Sequence, residues 1–247
     1  MSAAAPPHRR VLAQARFETR TLLSNGEQLL VSLVLPALAL VGLTLGSVPD
    51  LGPGPRADLA LAGTLALAVV STAFTGQAIS VGFDRRSGVL RLLGTTPLGR
   101  DGLLAGKALA VLGVLAVQVV VLGTLGLALG ARLEATGILP ALLAVLLGSA
   151  TFVALALLLA GTLRAEAVLA LANLVWVLLL GLGTLVPTAE LPGALARVAP
   201  FLPSGALGDA LRAAVVDGAW AWGAYAVLLA WGVVAATLAS RLFRWSG

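Results

Sequence analysis

The chain has 247 residues, 59% of them hydrophobic and 11% charged, with 16 basic against 11 acidic side chains and a net charge of +5. Water-soluble domains carry about 45–50% apolar and about 25% charged residues, so this composition excludes a water-soluble globular fold and makes lipid the solvent for much of the chain. Cysteine is absent and the one histidine, His8, lies outside every apolar run, which excludes disulfides, thiolate metal centres and histidine chemistry inside a membrane. The fold class expected is an all-α polytopic membrane protein, residues 1–247 forming a single transmembrane domain.

In chain order, the first element predicted is a basic amphipathic helix over residues 9–27. On a helical wheel Val11, Leu12, Ala15, Leu22 and Leu23 share one arc, while Arg9, Arg16 and Arg20 group on the other side. That pattern fits a helix lying in the membrane interface; the plainer alternative is a charged lead that only sets orientation. A span needs about 20 apolar residues. Six segments qualify: 28–46, with Pro36 as a kink, then 59–82, 103–130, 138–163, 167–186 and 219–240. The first apolar run starts near Leu29, too late and too long for the core of a cleavable signal. Arg164 and Glu166 break the long apolar stretch 138–186 with a tight polar turn.

Basic residues accumulate on the cytoplasmic side of a membrane. With the N-terminus inside, the cytoplasmic segments hold Arg9, Arg10, Arg16, Arg20, Arg85, Arg86, Arg91, Arg100, Lys107, Arg164, Arg241 and Arg244, twelve of the sixteen. Arg56, Arg132, Arg197 and Arg212 remain outside. The expectation is a multi-pass protein with both termini cytoplasmic. The basic balance is then topological, and no nucleic-acid partner is expected.

Two connecting segments carry more than a link needs. The inner one, 83–102, reads FDRRSGVLRLLGTTPLGRDG and is the most charged part of the chain. Val89, Leu90, Leu92 and Leu93 cluster among Asp84, Arg85, Arg86 and Arg91, which suits a short helix with apolar residues offered to a protein surface. Pro97 then stops it. The outer link, 187–218, holds four prolines yet stays largely apolar. Short helices over 190–199 and 204–216, the second capped by Ser204, fit either a re-entrant segment or a packed outer loop.

Within the spans ionisable groups are nearly absent, which argues against ion pathways and proton relays. Gln77, Gln118 and Asn173 are the polar amides expected at membrane depth, either lining a pathway or bonding helix to helix. The spacings Gly42/Gly46, Gly102/Gly106 and Gly126/Gly130 permit close helix approach. In DGLLAGKAL the lysine Lys107 is followed by Ala108, and Asp101 stands where a phosphate-binding loop needs glycine. A nucleotide cradled in the usual way is therefore not expected here, and if transport is ATP-driven the ATPase is expected to be a separate polypeptide.

Three segments together resemble one family. QARFETRTLLSNGEQLLVSLVLP is similar to a cytoplasmic elbow helix running into span one, FDRRSGVLRLLGTTPLGRDGLLAGK to a coupling region, and APFLPSGALGDALR to an outer re-entrant segment. The chain resembles the membrane permease subunit of bacterial type-two ABC exporters, the six-span class with a separate ATPase. It is most similar there to the permeases of actinobacterial drug and antibiotic exporters. The resemblance implies a non-catalytic permease in the plasma membrane, paired as a homodimer over two copies of a soluble ABC ATPase that holds ATP and Mg. It implies ATPase contacts at Asp84, Arg85, Arg86, Gly88, Leu90 and Arg91, and an elbow helix set by Arg9, Arg16, Phe17 and Arg20. No cofactor or metal is expected in this chain. Asp84 stands where the family often has Glu, and Arg91 where it often has a second acid. The cargo implied is a drug-like hydrophobic or amphipathic molecule. The alternatives are a lipid or lipid-linked glycan, or a secondary transporter working without an ATPase; an intramembrane enzyme would need an embedded nucleophile with a base, or paired acids, and the lone His8 and the absence of an embedded carboxylate pair argue against it.

Overall fold

The computed structural model describes residues 6–24, 26 and 30–244, and every regular element among them is helical. Helix α1 (Pro7–Ser24) precedes the spans. Residues 25 and 27–29, where the predicted elbow ends and the first predicted span begins, lie outside the described residues. A π-turn, Leu30–Val34, leads into α2 (Leu35–Leu45). Pro36 follows just after that turn, with Val34 still at helical φ/ψ, so its missing N–H falls where the helix changes type. The predicted kink is thus a change of helix type just before the proline.

Among the described residues, five helices are long and apolar enough to cross a membrane: α3 (Arg56–Arg86), α5 (Gly99–Ala128), α6 (Ala135–Thr162), α7 (Ala165–Thr184) and α10 (Trp222–Leu242). The apolar helix Ser32–Leu45 is shorter. Between α3 and α5 lies the short α4 (Val89–Gly94). Between α7 and α10 lie α8 (Ala194–Val198) and α9 (Pro203–Asp217).

Helix α3 is the axis of the bundle. In its apolar window 89% of residues are buried, against 22% in those of α7 and α10. Its sequence explains this: Ala60, Ala62, Gly63, Ala66 and Ala68 present little side chain, so neighbours approach its backbone closely. A Cβ on Gly63 would stand 3.1 Å from the Leu185 carbonyl oxygen. A π-turn, Val70–Gly76, interrupts α3 midway. The peripheral helices are apolar outward instead: Leu174, Val177 and Leu178 of α7 and Leu229, Val233 and Val234 of α10 are exposed. Large apolar side chains outside and small ones inside are what a lipid solvent permits, because burying leucine gains nothing over leaving it in hydrocarbon.

At one end α3 runs through Arg86, beyond the predicted limit of residue 82, so Asp84, Arg85 and Arg86 form its last turn. Gly88, at φ +78°, makes the turn into α4, a left-handed conformation that glycine adopts without strain. No atom of the chain lies within 4 Å of a Cβ built there, so within the chain glycine is needed for the turn. At the other end α7 finishes in a kink, with Leu182 and Gly183 non-helical and Gly183 at φ +90°. Helix α9 is buried against α3 and α6. Its cap is Leu202, with Pro203 in the first turn; Ser204, predicted as the cap, instead donates to the Leu182 carbonyl at 2.7 Å.

Candidate functional site

Most of the charge gathers at one end of the bundle, around the ends of α1, α3 and α5. Helix α1 lies along α5 because small residues on α5 let it in. A Cβ on Gly106 would meet Gln14 Cγ at 2.8 Å, and one on Gly113 would meet Thr19 Oγ1 at 3.0 Å. The face of α1 turned to the protein therefore includes Ala15, Glu18 and Thr19, while Leu12 and Phe17 are exposed. The predicted apolar arc is split: Ala15 packs inward, but Leu12 faces out beside the basic side. Arg9, Arg16 and Arg20 are exposed as predicted.

Lys107 closes this contact. Its ammonium is 3.0 Å from Glu18 on α1 and 2.8 Å from Asp84 on the last turn of α3, with the lysine side chain only 4% exposed. Gln14 donates to Glu18 at 2.8 Å. A buried ammonium is tolerated only when paired and hydrogen-bonded, and here two carboxylates from two other helices supply that. One cation thus ties α1, α3 and α5 together. Arg10 adds a second tie, donating to the Pro97 carbonyl between α4 and α5.

The remaining charges of the last α3 turn point elsewhere. Arg85 is buried and donates to the carbonyl of Leu163 at the end of α6. Arg86 pairs at 2.5 Å with Glu166, at the start of α7, where both side chains are well exposed. The carbonyl of Gly161 accepts the Arg244 backbone N–H at 3.0 Å, which folds the segment after α10 onto the end of α6. Asp84, Arg85 and Arg86 therefore link α3 to α5, α6 and α7 in turn.

Short α4 sits at this hub. Leu90 is fully buried, while Val89 and Leu92 are 37% and 68% exposed, and Arg91 is exposed. Of the six residues expected to meet a partner, the structure buries the side chains of Arg85 and Leu90, and Asp84 is engaged by Lys107. The reason is helical phase: a six-residue helix resting on α3 and α5 must turn one apolar side chain inward, and Leu90 is that one. Arg86, Arg91, Val89 and Leu92 remain outward. The role of Lys107 and Glu18 escapes a linear reading because 89 residues separate them. The signal present is Glu18 itself, an acid falling on the same arc of α1 as Ala15 and Leu22.

At mid-depth, Gln118 bonds Thr72 at 3.0 Å and the Ser32 carbonyl at 2.5 Å, all at buried positions. Trp176 of α7 donates to Ser71 at 2.9 Å. Gln118 therefore joins helices, as does this second bond beside the α3 π-turn. Gln77 is buried and Asn173 is exposed on α7, donating to its own helix at Leu169. At the far end Arg212 of α9, 7% exposed, donates to the carbonyls of Gly183 and Thr184 at 3.0 and 2.8 Å and to Asp209 at 3.0 Å. Burial pulls its pKa down to about 10 against the raising effect of Asp209, so it stays a cation at neutral pH. Asp209 also accepts from the Thr188 hydroxyl at 2.5 Å. Among the described residues no cluster of three metal-ligating side chains occurs.

The arrangement offers an exposed short helix that follows directly on the end of α3, where Lys107 ties α3 to α1 and α5 by ion pairs. A comparison with curated proteins finds no match. The model of the ABC-2 family transporter proteins matches residues 52–241, from just before α3 to the last turn of α10. The chain therefore belongs to the ABC-2 transporter family and is a transmembrane subunit of an ABC transporter.

Proposed function

We propose that this subunit is a non-catalytic permease that exports a hydrophobic or amphipathic, drug-like molecule across a bacterial plasma membrane. It works as a homodimer over two copies of a soluble ATPase that carries the ATP and Mg. Both termini and α4 face the cytoplasm, where twelve of the sixteen basic residues then lie.

The observation that carries this reading is α4 itself: an exposed Val89–Arg91–Leu92 face on a helix whose base is joined to α1, α3 and α5 through Lys107. A partner that grips α4 moves three elements together. Coupling of this kind requires the partner to bind one permease arrangement better than another. The apolar outward faces and the near absence of membrane-depth charge support a lipophilic cargo that enters from the bilayer.

The test is co-purification and coupling. The tagged chain extracted from its native membrane should bring a nucleotide hydrolase with it in equal amount. V89D with L92D should abolish that association and cargo-stimulated hydrolysis while the chain still inserts and elutes as a monodisperse species. Wild-type association in the double variant would refute the α4 contact.

A further inference from the structure

A groove of about 700 Å³ runs between α5, α6 and α10, away from the α1 contact. Leu104 and Leu112 form one wall, Leu146 and Leu157 the floor, and Ala236 and Phe243 the other wall. The volume exists because Ala108, Ala150 and Ala154 stand where larger side chains would fill it. The two hydroxyls in it, Ser149 and Ser240, donate to Leu146 and Thr237 of their own helices. Among the described residues the walls therefore offer hydrocarbon, with both hydroxyls taken up by their own helices.

Its length and its mouth narrow the occupant. From Arg100 to Leu112, α5 advances about 18 Å, close to the roughly 15 Å of one leaflet of a 30 Å hydrocarbon core. At the basic end of the bundle Arg100 and Asp101 stand side by side at the mouth, both exposed, one of each charge. A guanidinium fits a phosphate, and a neighbouring carboxylate fits an ammonium. We propose that the groove seats an acyl chain of a phospholipid with an amine-bearing head group, its phosphate on Arg100 and its ammonium on Asp101. The seat itself is independent of the ATPase reading; that the lipid belongs to the cytoplasmic leaflet rests on the orientation proposed above.

The test uses the full chain in nanodiscs of mixed phosphatidylethanolamine and phosphatidylglycerol, with traces of either lipid carrying a photoactivatable diazirine on one acyl chain. Adducts are mapped to peptides after irradiation. The ethanolamine probe should label groove positions on α5, α6 and α10, and Asp101→Asn should cut that labelling about tenfold while leaving the glycerol probe unchanged. Arg100→Gln should lower labelling by both probes. Ala154→Trp should block both; the two mouth variants, at exposed positions, keep the test valid if the tryptophan disturbs folding. Labelling spread evenly over the outward faces of α7 and α10 and indifferent to all three variants would overturn the seat. Chain-to-chain adducts through the groove would overturn it too, by making it an interface between copies. Equal loss of both probes with Asp101→Asn would overturn the head-group assignment. Co-purification of a hydrolase reads the ATPase proposal separately from all of these.

Discussion

Lys107 holds carboxylates from two helices, so its loss is felt by both. Lys107→Met leaves Glu18 and Asp84 facing one another with no cation, and removing one partner of a buried pair costs about 3–5 kcal/mol. Glu18 and Asp84 are 15% and 30% exposed, so water relieves part of this, and a loss of about 2 kcal/mol is expected. The measurement is a lower thermal midpoint in detergent with faster proteolysis of α1. Arg212 makes the opposite comparison. Its fork reaches two backbone carbonyls and Asp209 at once, which an ammonium cannot reproduce. Arg212→Lys should therefore lower the thermal midpoint nearly as much as Arg212→Ala, and a full rescue by lysine would show that charge alone matters. Neither cluster was legible in sequence as a cluster. The sequence shows that Lys107 is the lone lysine and that no phosphate loop surrounds it, but partners 23 and 89 residues away are set by helix phase and register. Gln118 was more readable: a single amide in a long apolar run has to find a partner, and it found Thr72 and the Ser32 carbonyl.

The contact of α6 with α9 depends on a glycine. A Cβ on Gly137 would come within 2.1 Å of the Ala214 carbonyl oxygen, a backbone atom that cannot step aside. Gly137→Ala should destabilise the protein by about 1–3 kcal/mol. Gly123 of α5 has nothing within 4 Å of a built Cβ, so Gly123→Ala should be neutral or raise the midpoint, since alanine gains about 0.5–1 kcal/mol in a helix. Paired denaturation of the two variants checks both. The helix positions themselves were largely predictable, since long apolar runs become membrane helices whatever their neighbours. What the runs do not disclose is phase. Leu90 and Arg85 read as surface residues in a charged loop, yet packing on α5 and the free carbonyl at the end of α6 draw them inward. The same limit applies to α1, whose wheel groups Leu12 with Ala15 although only Ala15 meets α5.

For the whole molecule, sidedness is directly testable because the chain contains no cysteine to remove. Ser87→Cys, at the exposed turn before α4, should react with a membrane-impermeant maleimide only after the cytoplasmic side is opened. Leu195→Cys, exposed on α8, should react in intact cells. The reverse pattern would invert the orientation and place α4 beyond the reach of a cytoplasmic ATPase.

Helix α3 has 31 residues, about 46 Å at 1.5 Å each, half as long again as a hydrocarbon core of about 30 Å. It is wrapped by its neighbours, so the thickness of the surrounding lipid has almost no purchase on it. The peripheral α7, with 20 residues and an outward face of large apolar side chains, is open to that thickness and is the helix expected to adjust its tilt to it. Short- and long-chained bilayers should therefore bend the rim of the molecule while the distance from the Arg56 end of α3 to the Asp84 end stays constant, giving the protein an internal ruler that the membrane does not rewrite.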